Sequence, residues 1–162
     1  MKHIAIALIS ALACLTPCQA DETSNIAIAR SMIAAINDRN LDGLDALIAP
    51  GVVRHSAATA GVTVRSLADF KAFLRSDFAS IPDSVMTVDV IFGNDEFVAM
   101  RAIYAGTQTG EMGPFPPSGE HAELPFIGIL RFADGKVVEM WVEWDNVHIL
   151  TQLGHLSPPP DH

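Results

Sequence analysis

Apolar residues recur along this chain with two different periods, and the switch between them divides it. Over Ser24 to Asp38, Ile26, Ala29, Ile33 and Ile36 fall at helical spacing, widened by Ile28 and Met32, and predict a helix. Leu41, Leu44 and Ile48 predict a short second helix with Asp42 and Asp45 on its outer side and Pro50-Gly51 as its stop. Val52 to His55 reads as a short extended piece. A third helix starts at Ser66, where Asp69 three residues later makes a weak capping box. Phe70, Phe73, Leu74 and Phe78 form its apolar face, and Pro82 stops it.

Beyond Ser84 the period falls to two. Met86, Val88, Val90 and Phe92 alternate with polar neighbours and predict a strand over Ser84 to Phe92. Gly93-Asn94-Asp95 is a turn before a second strand, Glu96 to Ala105. Gly110 to Gly119 is a Pro/Gly loop. Two more strands, Leu124 to Phe132 and Lys136 to Asp145, are joined by Ala133-Asp134-Gly135, a hairpin signal. A last short helix covers Asn146 to Leu153. Helices followed by a run of antiparallel strands make an α+β pattern.

The N-terminus departs from both periods. Lys2 precedes an apolar run from Ile4 to Leu15, Pro17 breaks it, and Cys18-Gln19-Ala20 places small residues before Asp21. This predicts a cleaved signal peptide over 1–20, a domain over 21–156, a Pro-rich tail over 157–162, and a periplasmic or secreted location. The run is shorter than the roughly 20 residues a membrane-spanning helix needs. Acylation at Cys14 or Cys18 is the less favoured alternative. Both cysteines of the chain lie in this segment, so the mature domain has no disulfide, thiolate or Cys-ligated zinc to call on. Nineteen Asp and Glu stand against ten Lys and Arg, a balance that excludes nucleic acid and anionic membrane as partners.

Candidate chemistry concentrates on the last strand. Alternation puts Glu139, Trp141, Glu143 and Asp145 on one face and Val138, Met140, Val142 and Trp144 on the other. The simple reading makes the apolar face core and the acidic face solvated. Trp141 among carboxylates argues the other way, because a carboxylate beside Trp in a pocket has its pKa raised by desolvation and suits acid/base work. Asp145 also directly precedes a helix, so capping competes with catalysis as its role. His55 is a candidate proton partner. Arg101, mid-strand, calls for a carboxylate such as Asp89 or Glu143, or for an anionic ligand. His55, His121 and His148 do not fall at metal-ligand spacing, and phosphate loops, serine elbows and dinucleotide fingerprints are absent, so neither metal nor cofactor is expected.

Several stretches taken in order resemble one family. They are Asn37 to Asp45 (NDRNLDGLD), Val52 to Ser56 (VVRHS), Gly106 to Gly110 (GTQTG) followed by Pro116 to Gly119 (PPSG), Arg131 to Glu139 (RFADGKVVE), and Trp141 to Asp145 (WVEWD) ending in Gln152-Leu153-Gly154. Together they are similar to the SnoaL-like polyketide cyclase (ester cyclase) family of the nuclear transport factor 2-like superfamily. The resemblance implies a cone-shaped α+β barrel, a curved sheet wrapped over helices around a pocket. It implies an Asp after the last strand acting as acid/base in a cofactor-free ring closure, a position matched by Asp145, with His55 at the family's His after the second helix. Gln108 stands where the family often has His. On this expectation the acidic face turns inward. Trp141 and Phe126 form pocket walls, Gln108, Glu143 and Arg101 contact substrate, and the substrate is a small apolar carbonyl compound handled by a cyclase or isomerase. Members often dimerise through the sheet, so a homodimer is expected. A non-catalytic binding or dimerisation module on the same fold is the alternative.

Overall fold

The computed structural model describes residues 22–59 and 61–157. The expected signal peptide, both cysteines and most of the Pro-rich tail lie outside them. Helix α1 (Glu22–Asn37) and helix α2 (Leu67–Ser80) pack on one face of a five-stranded sheet. The strands are β1 (Ile48–His55), β2 (Val85–Gly93), β3 (Phe97–Thr107), β4 (His121–Ala133) and β5 (Lys136–Trp144), and α3 (Asn146–Gln152) follows. Their order is β1-β5-β4-β3-β2, with β1 parallel to β5 and every other pair antiparallel. The sheet is open, with β1 and β2 at its edges.

Local chemistry explains most boundaries. Ser66 Oγ accepts the Asp69 N–H at 3.0 Å, while the Asp69 carboxylate accepts the Arg65 N–H. Asp134 (φ 52°) and Gly135 (φ 71°) both take left-handed conformations, the requirement of the tight primed turn that joins β4 to β5. The side-chain amide of Asn37 donates to the Met86 carbonyl and accepts the Met86 N–H, which locks the end of α1 to β2.

One expectation changes. The second helix is only a 3₁₀ turn, Asp42–Ala46, and Ile48 already belongs to β1. Ile48 pairs with Val137, the register shifts before Val53 pairs with Glu139, and Pro50-Gly51 lies in that irregular stretch instead of stopping a helix. Three apolar residues at 41, 44 and 48 fit a helix, but the buried site opposite Val137 captures the last of them.

Inward and outward positions alternate cleanly on β4. Ala122, Leu124, Phe126, Gly128, Leu130 and Phe132 face the helices, while Glu123, Pro125, Ile127 and Ile129 are exposed. The register carries this to β5: Leu130 lies opposite Met140, Gly128 opposite Val142, and Phe126 opposite Trp144. Val138 falls at a register shift between Arg131 and Phe132, so the inward set is Val137, Met140, Val142 and Trp144.

Candidate functional site

The inward face does not close completely on the helices. Between them lies a cavity of about 480 Å³, walled by β3, β4 and β5 on one side and by α1 and α2 on the other. Further lining comes from Arg54 of β1 and Met86 of β2, from Ala58, Thr59 and Val62, from Met112 to Phe115, and from Ile149 and Leu150 of α3. The walls are mainly apolar. Five of the six methionines of the chain, Met32, Met86, Met100, Met112 and Met140, line it. Such side chains give an adaptable, polarizable wall.

Three charged or phenolic residues, Asp77, Tyr104 and Arg54, interrupt this surface beside Thr59 and Asn146. Asp77 projects from α2 in phase with Phe70, Phe73, Leu74 and Ile81, so the helix itself delivers a carboxylate to the apolar side. Tyr104 continues the inward series Val98, Met100 and Ala102 of β3, and its hydroxyl donates to the Asp77 carboxylate at 3.1 Å from each oxygen. Burial raises the Asp77 pKa to about 6, against the opposing pull of the Tyr104 hydrogen bond and of Arg39 and Arg54. Burial and the adjacent carboxylate push the Tyr104 phenol well up, so it remains a donor. Arg54, on β1, is the third group. It is 8% exposed, and its guanidinium carbon lies 4.7 Å from the Phe73 ring centre and 5.7 Å from that of Trp144. Burial lowers its pKa, while Glu143 and Asp77 act in the other direction.

The acidic face of β5 points the other way. Glu139, Trp141 and Glu143 lie on the outer side of the sheet, contrary to the inward turn expected from the resemblance; the pairing of Met140, Val142 and Trp144 with the buried side of β4 is the reason. His55 stacks on Trp141 with ring centres 5.3 Å apart, and its Nε2 lies 2.8 Å from Glu139 Oε1. Glu139 also accepts from Arg131, and these two hydrogen bonds, His55 first, hold its carboxyl below the usual range. Glu143 accepts the N–H groups of Ala57 and Ala58. Arg101 pairs with Asp89 on the same outer face. Asp145 caps α3 by accepting the Val147 and His148 N–H groups at 2.8 and 3.1 Å, and it is exposed. Of the residues singled out from sequence, Phe126 lines the cavity.

Gln108 has a different placement again. It is fully buried, and its amide donates to the carbonyls of Gly110 and Pro116 and accepts from Ser118 and His155. His155 also packs on Phe115, at 4.8 Å between ring centres. Gln108 thereby ties down the loop that carries Met112 to Phe115 to the cavity. Gly110 sits so close to the Ala79 carbonyl that a side chain there has no room. Among the described residues no cluster of three His, Asp or Glu side chains is arranged to hold a metal ion, and no helix is long and apolar enough to cross a membrane.

A family model of SnoaL-like polyketide cyclases matches residues 26–153. The chain belongs to that family. Solved structures with the same fold include IdmH, a proposed polyketide cyclase from Streptomyces antibioticus, at 32% identity and a TM-score of 0.73 over 80% of this chain and 98% of that one. AclR, a proposed hydroxylase from Streptomyces galilaeus, matches at 29% identity and a TM-score of 0.74 over 86% of each chain. TsrD from Streptomyces laurentii shares the fold at 24% identity and a TM-score of 0.73, over 83% of this chain and 97% of that one. No curated protein matches the chain.

In this SnoaL-like chain Asp77, Arg54 and Tyr104 were not singled out from sequence, although each left a signal. Asp77 breaks an otherwise apolar helical stripe, Arg54 follows Val52 in inward phase, and Tyr104, the one tyrosine of the chain, sits in phase with Met100 and Ala102. A polar residue on an apolar stripe is where local pattern and function conflict.

Proposed function

We propose that this SnoaL-like protein binds a small apolar carbonyl compound in the cavity and catalyses cofactor-free proton transfer beside the carbonyl, the step that a cyclisation or isomerisation requires. The observation that carries the proposal is Asp77, a carboxylate with a pKa of about 6 set in an apolar wall and hydrogen-bonded by Tyr104. Such a group is mostly ionised at neutral pH yet poorly solvated, which suits a general base. It takes the proton of the acidic C–H. The C–H electron pair forms the carbon–carbon double bond, and the carbonyl π pair moves to oxygen. Once Asp77 is protonated, the Tyr104 hydroxyl is free to donate to the new enolate oxygen. Return of the proton at another carbon gives isomerisation, and attack of the enolate on a second carbonyl gives ring closure.

The same reading takes the protein out of the cytoplasm on the strength of the N-terminal apolar run. It also pairs two copies through the outer sheet face, where Phe92, Val90, Ile127 and Ile129 are exposed. The test is solvent deuterium exchange into an enolisable bicyclic ketone, β-tetralone, followed by NMR. Wild-type protein accelerates exchange, Asp77→Asn abolishes it, and Asp145→Asn retains it. Exchange that survives Asp77→Asn and is lost with Asp145→Asn returns the base to the position matched by resemblance. A binding module without catalysis is the second reading. It is favoured by the engagement of Asp145 with backbone N–H groups, and it predicts ketone binding with no exchange in any variant.

A further inference from the structure

The arginines of this protein are distributed against expectation. Arg101 and Arg131, both on the outer face of the sheet, each hold a carboxylate. Arg54, buried beside the cavity, makes no ion pair among the described residues. Its side chain donates one hydrogen bond, from Nη1 to Thr59 Oγ1 at 2.9 Å. The two carboxylates whose fields reach it are engaged elsewhere: Glu143 with the Ala57 and Ala58 N–H groups, Asp77 with Tyr104. Phe73 and Trp144 flank the guanidinium with ring faces, which shield it from water without supplying a negative charge. A desolvated cation with most of its donors unused is costly, and a charge partner relieves that cost. The guanidinium fork suits a planar two-oxygen anion.

We infer that Arg54, with Thr59, forms an anion subsite of the cavity, and that the ligand is an otherwise apolar molecule carrying one carboxylate or ionised enol. The inference deepens the reading of the Asp77 cavity as a carbonyl-compound site and rests on it. The apolar body lies against the methionine-rich wall, while the anionic group reaches Arg54. Thr59 fixes one guanidinium nitrogen and leaves the rest of the fork for the ligand.

The experiment is calorimetric titration of the full chain with three probes of one shape: naphthoate, naphthamide and naphthylmethylammonium. A charge-assisted pair predicts that naphthoate binds about tenfold to a hundredfold more tightly than naphthamide, and that the ammonium compound does not bind. In Arg54→Gln the gap between naphthoate and naphthamide closes to within about twofold. Equal binding of acid and amide by wild-type protein overturns the inference, as does a preference that persists in Arg54→Gln. If that variant does not fold, the wild-type series still decides, because ammonium binding equal to that of naphthoate also overturns it. Asp77→Asn keeps or strengthens the anion preference, since it removes a nearby negative charge. Asp77-dependent exchange of β-tetralone without any anion preference sinks the subsite alone. An anion preference with exchange independent of Asp77 sinks the acid/base reading alone.

Discussion

The hydroxyl of Tyr104 lies 3.1 Å from both carboxylate oxygens of Asp77 and donates its proton to them. This bond favours the ionised carboxylate and opposes the burial that raises its pKa to about 6. Tyr104→Phe therefore moves the Asp77 midpoint upward. In the β-tetralone assay the wild-type rate rises through about pH 6, and in Tyr104→Phe the rise comes at higher pH with a lower plateau. A pH–rate profile of the two proteins reads both effects, and an unmoved midpoint disconnects Asp77 from the exchange.

The same carboxylate sets a pH dependence of stability. Its folded pKa of about 6 lies above the ordinary 3.8, so the folded state binds more protons than the unfolded state between these values. Its favourable contribution is complete below about pH 4 and is lost as pH rises through about 6. Above that, ionised Asp77 costs on the order of 3 kcal/mol. Asp77→Asn is expected to raise the melting temperature at pH 7 to 8 and to leave it unchanged or lower near pH 4. Thermal melts across that range supply the check.

Asp145 earns a prediction of opposite character. As the cap of α3 it accepts two backbone N–H groups, so Asp145→Ala should destabilise the fold by about 1 kcal/mol, while Asp145→Asn should be nearly neutral. Urea titration measures both.

Gly128 lies mid-strand on the cavity wall at ordinary negative φ, and a Cβ added there meets nothing nearer than Met100 Cγ at 3.4 Å. The fold has no need of glycine at this place. Gly128→Ala should stabilise the protein by about 0.5–1 kcal/mol, since glycine weakens a strand interior. Gly128→Leu should fill the cavity, keep the melting temperature at or above wild type, and reduce naphthoate affinity at least tenfold in the same titration.

The outer face carries the last prediction. Phe92 is 63% exposed and Ile127 51%. If two copies meet there, Ile127→Glu yields a monomer with an intact cavity, read by sedimentation velocity beside ligand titration. A wild-type monomer at micromolar concentration removes the dimer from the proposal.

The order of helices and strands was legible because long apolar periods and a few punctuating residues, Ser66, Pro82 and Asp134-Gly135, specify it locally. The fate of Ile48 was not, because its pairing with Val137 is decided 89 positions away. The site was less legible for a related reason. Alternation alone assigned the faces of β5 with Glu139, Trp141 and Glu143 outward, and the structure agrees with that simple pattern. What alternation cannot carry is which face encloses space. Asp77, Tyr104 and Arg54 come from α2, β3 and β1, and only the packing of those elements brings them to one cavity.

The methionine lining has a practical consequence. Selective methyl labelling of methionine places an NMR reporter at five points around one chamber, with Met1 as the sixth resonance of the full chain. Ring currents from an aromatic occupant would shift those signals individually, and the pattern of shifts would map where in the chamber it rests. The protein thus carries its own spectroscopic sensors for the compound it holds.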